Sequence, residues 1–361
     1  MRLLVITQRV DRRAPILGFF IEWIRAFTQT FENVTVIAQS VRKHDLPSSV
    51  TVYSLGKEQD VSRFMQVIRC WRLCWQQRDE YDAVLVHMTP IWIVLNAPLW
   101  LVARKPIYLW YESTGRRWPL FVSLFFVSKV FSATPLHLPI FARKNVVTNH
   151  GIDTDFWRGA THRDEYLVVS MGRITPIKRV ELVIRCFATL PKSYRLFLIG
   201  GPYVGEDIGY YRTVDRLIAD LKLYDRVTMH FLDREDAGEK LTKANLFLHA
   251  GAGTLDKSLL QAMSAGVLTV SCSPANTLLP DACRATPESF AKVTQALLAS
   301  TEQHAALREE LRNIVTSQHS LSTLAARLAG EMEEHQLLLP AHSSIIFLIC
   351  MMLAGCSSHL K

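Results

Sequence analysis

Short apolar runs recur along the chain, separated by longer stretches whose large apolar residues fall at helical spacing. Residues 2–7 (RLLVIT) form the first run, a continuous apolar segment of the kind that makes a buried parallel strand. A polar loop follows, and residues 19–31 return to helical spacing. Residues 34–38, 50–54, 83–87 and 107–110 predict further strands. Between them, residues 62–78 predict a helix with Phe64, Ile68, Trp71 and Trp75 on one apolar face, the side such a helix turns to a core. From residue 166 a second series begins, with strands expected at 167–170, 195–199, 227–231, 246–248 and 268–271 and helices in the intervals.

Strands alternating with helices, without hairpin signals, indicate doubly wound α/β construction. A chain of 361 residues has room for two such cores. The expected division is a first domain over 1–156, a second over 165–334, and an apolar tail over 335–361, with the last helix ending near Glu334. The segments 91–103, 120–131 and 345–356 are apolar but only 12 or 13 residues long. As helices they would reach about 20 Å, short of the ~30 Å hydrocarbon core of a bilayer. The first two are expected to be core helices, with shallow membrane contact open to 120–131.

Charge divides unevenly. Residues 1–150 hold 19 Lys and Arg against 10 Asp and Glu, a net of +9, so the remainder carries −1 of the total +8. A basic first half suits an anionic partner: a membrane surface, a lipid diphosphate or an acidic glycan. No nucleic-acid recognition motif accompanies it. The opening MRLLVITQRVDRR passes from a strand straight into charge, so no signal peptide is expected. Seven cysteines without a CxxC pairing suit a reduced, cytoplasmic protein, with Cys70 and Cys74 packed in a core and not on a metal.

The most informative stretch is 168–182, VVSMGRITPIKRVEL. A buried strand leads into a Gly-Arg turn and then a lysine that opens a helix. This order sets Arg173 and Lys178 at the C-terminal edge of a parallel sheet, where ligands of open α/β folds bind. Two cations beside a helix N-terminus suit a diphosphate. The segment resembles the donor-diphosphate site of the retaining, nucleotide-sugar-dependent glycosyltransferases of family 4 (glycosyl transferases group 1). Other segments extend the resemblance in the same order. ITQRVDRRAPILGFF is similar to the loop that brings a glycine, here Gly18, to the donor phosphates. VTNHGIDTDFW is similar to the inter-domain segment, LFLIGGP to a glycine-ended strand near the nucleotide, and HAGAGTLDKSLLQAMSAGVLTV to the loop and helix that hold ribose and diphosphate.

The resemblance implies a GT-B fold, two Rossmann-like domains facing across a cleft. It implies donor contacts from Gly18, Gly172, Arg173, Lys178, Gly201, Thr254, Leu255, Asp256, Lys257 and Gln261. His87, at a strand end on the active-site face, and Glu112 are the candidate catalytic side chains, with a histidine bonded to backbone as the other reading of His87. His150 is expected to be structural. Arg12, Arg13, Arg116 and Arg117 are expected either to edge the cleft or to be solvated loop charge. Asp153-Thr154-Asp155 has the form of a metal-binding DxD, but its place in the inter-domain segment makes it structural. No metal or cofactor is expected beyond the nucleotide diphosphate-sugar substrate.

Three positions depart from the family pattern. Gly253 and Gln261 stand where two glutamates eight residues apart are usual, and Ser113 stands where LWYTH-type sequences carry histidine. The run Gly253-Thr254-Leu255-Asp256-Lys257 nearly matches a Gly-Ser-Leu-Asp-Lys subgroup, in which loop amides and the lysine would replace the carboxylate. The expected activity is transfer of a hexose, with retention, to a glycan or lipid-linked acceptor at the inner face of the plasma membrane. The alternative is a degenerate GT-B protein that binds nucleotide or glycan without transfer.

Overall fold

The computed structural model describes residues 1–14, 17–113, 115, 117–135, 143–202, 207–253 and 255–338. Thr254, Arg116 and the tail from 339, with its apolar run 345–356, lie outside them.

The first domain contains β1 (Arg2–Val10), α1 (Phe20–Thr28), β2 (Asn33–Val41), β3 (Val50–Ser54), α2 (Arg63–Gln76), β4 (Ala83–His87), α3 (Pro90–Val102), β5 (Ile107–Trp110), α4 (Trp118–Phe126), β6 (Lys129–Ser132) and β7 (Asn145–Val147). Its strands form one parallel sheet in the order β3-β2-β1-β4-β5-β6-β7. The second domain contains β8 (Asp164–Met171), α5 (Val180–Ala188), β9 (Arg195–Ile199), α6 (Asp207–Asp220), β10 (Val227–His230), α7 (Arg234–Thr242), β11 (Ala244–His249), α8 (Lys257–Ser264), β12 (Leu268–Ser271), α9 (Phe290–Ala299) and α10 (His304–Gln318). Its parallel sheet runs β10-β9-β8-β11-β12. The last helix among the described residues is α11 (Leu321–Leu338).

Alternate residues of the first sheet feed two cores. Leu3, Val5, Leu85, Tyr108 and Trp110 pack under α1 and α11. Leu4, Ile6, Val84, Val86 and Leu109 pack under α2, α3 and α4. The second sheet has a single large core that includes Val168, Val169, Phe187, Phe247 and Leu268.

Four expectations change. β1 continues to Val10, so the loop expected from Gln8 starts three residues later. The run 120–131 is not one helix. α4 ends at Phe126 and β6 begins at Lys129, because Val130 and Phe131 pair with Leu109 and Trp110. In α2 the face turned inward is the opposite of the one expected: Gln66, Cys70 and Cys74 are buried, while Phe64, Ile68, Trp71 and Trp75 are exposed. The two thiols lie 3.9 Å apart beneath Tyr81, whose hydroxyl donates to the Cys74 carbonyl. Both are fully buried in the core beneath α2, and they pack as expected.

The last helix runs to Leu338, past Glu334, and its buried residues Leu324, Ala325, Leu328, Ala329 and Met332 join the core of the first sheet. The chain therefore crosses between domains twice, and the crossings run side by side. Ile152 N donates to His319 O at 2.7 Å and Leu321 N to Ile152 O at 3.0 Å. A Cβ on Gly151 would sit 2.5 Å from Leu324 Cδ2, so a larger residue there would make that side chain shift. The Asp153 carboxylate accepts from Phe156 N and pairs with Arg234 at 2.7 Å. That arrangement matches its structural reading.

Candidate active site

The site forms where the C-terminal edges of the two sheets meet, the position that parallel strand order dictates for a ligand. β8 ends at Met171, and Gly172 turns the chain with φ +148°. Its amide donates to Ile199 O at 2.9 Å. The neighbouring strand β9 leads to Gly200, φ +157°, where a Cβ would lie 1.8 Å from the Gly172 carbonyl oxygen. The two turns interlock, and only a residue without Cβ permits it. Gly201, the glycine singled out from the sequence, meets nothing nearer than 3.9 Å, so the steric demand falls on Gly200.

Arg173 follows this turn and is exposed. Lys178 ends a short 3-10 turn, Pro176–Lys178, and its side chain returns beneath Gly172. The two cations thus flank one turn, as the spacing predicts. The next residue, Arg179, has a different task. Its Nε and Nη2 donate to Ala250 O at 2.6 Å and Cys272 O at 3.0 Å, tying the ends of β11 and β12 to the start of α5. Ala252 N donates to Ile177 O at 2.7 Å, which fixes the loop before Gly253 against the Lys178 turn.

Asp256 caps α8, its Oδ1 accepting from Ser258 N at 3.2 Å. Its Oδ2 pairs with Lys178 Nζ and accepts from His249 Nε2 at 3.3 Å. His249 Nδ1 in turn lies 2.9 Å from Ser271 Oγ, an arrangement that assigns the ring proton to Nε2. Burial alone would raise the Asp256 carboxyl. The His249 hydrogen bond and the Lys178 charge outweigh it and hold the group ionised, well below the usual carboxylate range. His249 is the residue sequence reasoning missed. Its signal was present, a histidine at the end of a buried strand opening HAGAG, but nothing local names its partner seven residues on.

On the facing side, β5 ends at Trp110 and delivers Glu112 into the cleft. Its Oε1 lies 3.1 Å from His150 Nε2 and its Oε2 3.6 Å from Lys257 Nζ of the second domain. His150 Nε2 is also 3.0 Å from the Leu255 carbonyl, so this buried hinge histidine links both sides of the cleft. The Lys257 ammonium stands 3.7 Å above the Phe19 ring, a cation–π contact. Arg12 reaches across as well, pairing with Asp45 of its own domain and with Glu235 at 3.0 Å. It edges the cleft as one of the two expectations had it.

Two expected site residues sit differently. His87 is 2% exposed, stacked on Phe20 with ring centroids 4.0 Å apart, and its Nδ1 is 3.4 Å from Thr7 Oγ1. Burial, helped by the Lys257 charge, holds it neutral. It supports the floor of the site and has no face open to a ligand. Gly18 lacks a Cβ because one would strike the Ala14 and Arg12 carbonyls at 2.8 Å, and its amide donates to Ala14 O at 2.9 Å. That amide is committed to its own loop, so Gly18 shapes the loop from within. Gln261 lies half-buried on α8, one helical turn beyond Lys257. Thr254 falls outside the described residues.

Comparison with known proteins bears on the fold. Residues 152–327 match the family described as glycosyl transferases group 1. No curated protein matches the sequence. HepE of Anabaena, solved with UDP and glucose, superposes with a TM-score of 0.73 at 17% identity, covering 92% of this chain and 99% of that one. Sucrose-phosphate synthase from Thermosynechococcus elongatus gives 0.70 at 14% identity over 94% and 100%. WaaG, a glycosyltransferase involved in lipopolysaccharide biosynthesis, gives 0.60 at 16% identity over 91% and 99%. The chain has the GT-B fold, and residues 152–327 within it are similar to the glycosyl transferases group 1 family.

Proposed function

We propose that the protein transfers a hexose from a nucleotide diphosphate-sugar to a glycan or lipid-linked acceptor, with retention, in synthesis of a cell-surface polysaccharide or glycolipid. The observation that carries the reading is the placement of Arg173 and Lys178 on one glycine-shaped turn at the sheet edge, on the same side of the cleft as Lys257, which meets Glu112 of the first domain. Departure of the nucleoside diphosphate builds negative charge, and fixed cations stabilise that charge most. Arg173 and Lys178 would bind the diphosphate, with Gln261 and the Leu255–Lys257 segment toward the ribose and the sugar. In this reading Glu112, paired with Lys257, would face the donor sugar. The leaving phosphate would take the acceptor's proton, so no separate general base is assigned. Two protein cations supply the charge, and the reading assigns no metal. The acceptor would enter over the basic first domain, with the protein working in the cytoplasm against the inner face of the plasma membrane.

One observation favours a binding protein without transfer: Lys178 is already paired with Asp256, and Gly253 and Gln261 replace the usual glutamates. Thermal stabilisation by a panel of UDP-, GDP- and ADP-sugars, followed by assay of donor hydrolysis, separates the two. Stabilisation with slow release of free sugar supports transfer chemistry. Stabilisation with no release supports binding alone, and no stabilisation by any donor contradicts both.

A further inference from the structure

We infer that α2 is a membrane-docking helix, whose outward apolar stripe enters the headgroup region of an anionic bilayer. The inference rests on the membrane-peripheral reading above and supplies the surface for it. Phe64, Ile68, Trp71 and Trp75 are 74%, 39%, 46% and 46% exposed, and Met65 beside them is 46% exposed. At about 100° per residue the first four fall within a sector of roughly 60°. An exposed row of that kind costs free energy in water unless something covers it.

The helix is held from its other side. Gln66, Cys70 and Cys74 are buried, Trp71 Nε1 donates to Leu95 O of α3 at 2.8 Å, and Arg69 reaches the Leu55 carbonyl at 3.4 Å. Its outward face is therefore a fixed feature of the fold.

The charges around the stripe identify what covers it. Arg63, Arg69 and Arg72 are exposed on the same helix, Arg78 follows its end with its guanidinium 4.7 Å from the Trp75 ring centroid, and no acidic residue lies between 61 and 78. Aromatic side chains at the apolar centre with arginines along its flanks form an interfacial helix, lying in the plane of the membrane. Arginine stems extend the apolar surface while their heads reach lipid phosphates. No helix among the described residues is long and apolar enough to cross a bilayer, so contact through this helix is interfacial.

The test is co-sedimentation of the full chain with vesicles of equal parts phosphatidylglycerol and phosphatidylcholine, or of phosphatidylcholine alone. The natural protein is expected to bind the anionic vesicles more tightly, and weakly to the neutral ones. The variant Phe64→Ser/Ile68→Ser/Trp75→Ser, which spares the Trp71 hydrogen bond, is expected to lose binding to both by at least about thirtyfold. Arg63→Gln/Arg72→Gln is expected to lose roughly fivefold per residue on anionic vesicles alone. UDP affinity and melting temperature should stay unchanged in both variants, which separates a docking defect from misfolding and from failure of the donor-site reading. Natural protein that ignores both vesicle types overturns the membrane-peripheral reading with this proposal. Vesicle binding that survives the triple substitution overturns the proposal alone. The same holds if the substitution instead abolishes a lipid-free dimer, which would make a second copy the occupant. It also holds if Trp75 of monomeric, lipid-free protein is already shielded from a water-soluble quencher, which would make the chain's own C-terminal run the cover.

Discussion

At the scale of single residues, the site depends on two glycines whose roles differ although they are adjacent. Gly200 packs its α-carbon against the Gly172 carbonyl, whereas Gly201 borders open space. Gly200→Ala must push the Gly172–Arg173 turn aside and carry an L-residue at φ +157°. It should cost about 2–4 kcal/mol in stability and weaken UDP binding because Arg173 moves with the turn. Gly201→Ala should leave both within error. Thermal melts and UDP titrations of the two variants check this, and equal behaviour would mean that the interlocked turns do not hold the site. The sequence alone marked the pair as glycines near a nucleotide and could not rank them, since the decisive atom belongs to another strand. Asp256 presents the same difficulty. Its partners Lys178 and His249 are 78 and 7 residues away, and the contact exists only once β8 and β11 are neighbours.

At the scale of elements, the strands were the most legible part. β4, β5, β9 and β12 have the bounds their apolar runs predict, because parallel strands packed within a sheet are apolar along most of their length, and the edge strand β3 keeps its predicted bounds as well. Helices were legible as helices but not by destination. The period of α2 exposes a stripe without saying whether protein, lipid or a partner covers it, and the inward face proved to be its small residues. The run 120–131 could not be divided, since periodicity does not separate a buried helix turn from a buried strand. The resemblance implies a C-terminal helix that packs back on the first domain, and α11 does so, but which of its residues meet the first sheet shows only once the chain crosses back beside residue 152. That placement is testable. Leu328 is fully buried among first-domain residues, and Lys129 Nζ meets Glu331 at 2.7 Å while the Tyr108 hydroxyl donates to the Met332 carbonyl at 3.2 Å. Leu328→Ala should cost about 2–5 kcal/mol and raise hydrogen exchange in β1 and β4. Exchange that rises only in the second domain would contradict the packing.

At the scale of the whole molecule, the two domains meet through polar contacts around a double crossing, and one of those contacts titrates. His319 lies 4% exposed where the chain returns to the first domain, and its Nδ1 accepts from His150 N at 3.2 Å. Burial, with the His150 charge beside it, lowers it to about 4. The unfolded side chain takes a proton near pH 6.5. Between these values the unfolded chain binds more protons, so stability is full above pH 6.5 and falls as pH drops toward 4, by about 3 kcal/mol. His319→Asn, which keeps an acceptor for His150 N, should melt less steeply with pH across that window, and an unchanged slope would remove His319 as the cause. The central claim concerns the cleft that this crossing organises: that it binds a nucleoside diphosphate through Arg173 and Lys178. Calorimetric titration of the folded protein with UDP and with GDP tests it most directly. One of the two should bind at a single site, and Arg173→Ala and Lys178→Ala should each weaken it about 30-fold, the worth of a charge-assisted hydrogen bond of ~2 kcal/mol. Affinity that is unchanged in both folded variants would contradict the account.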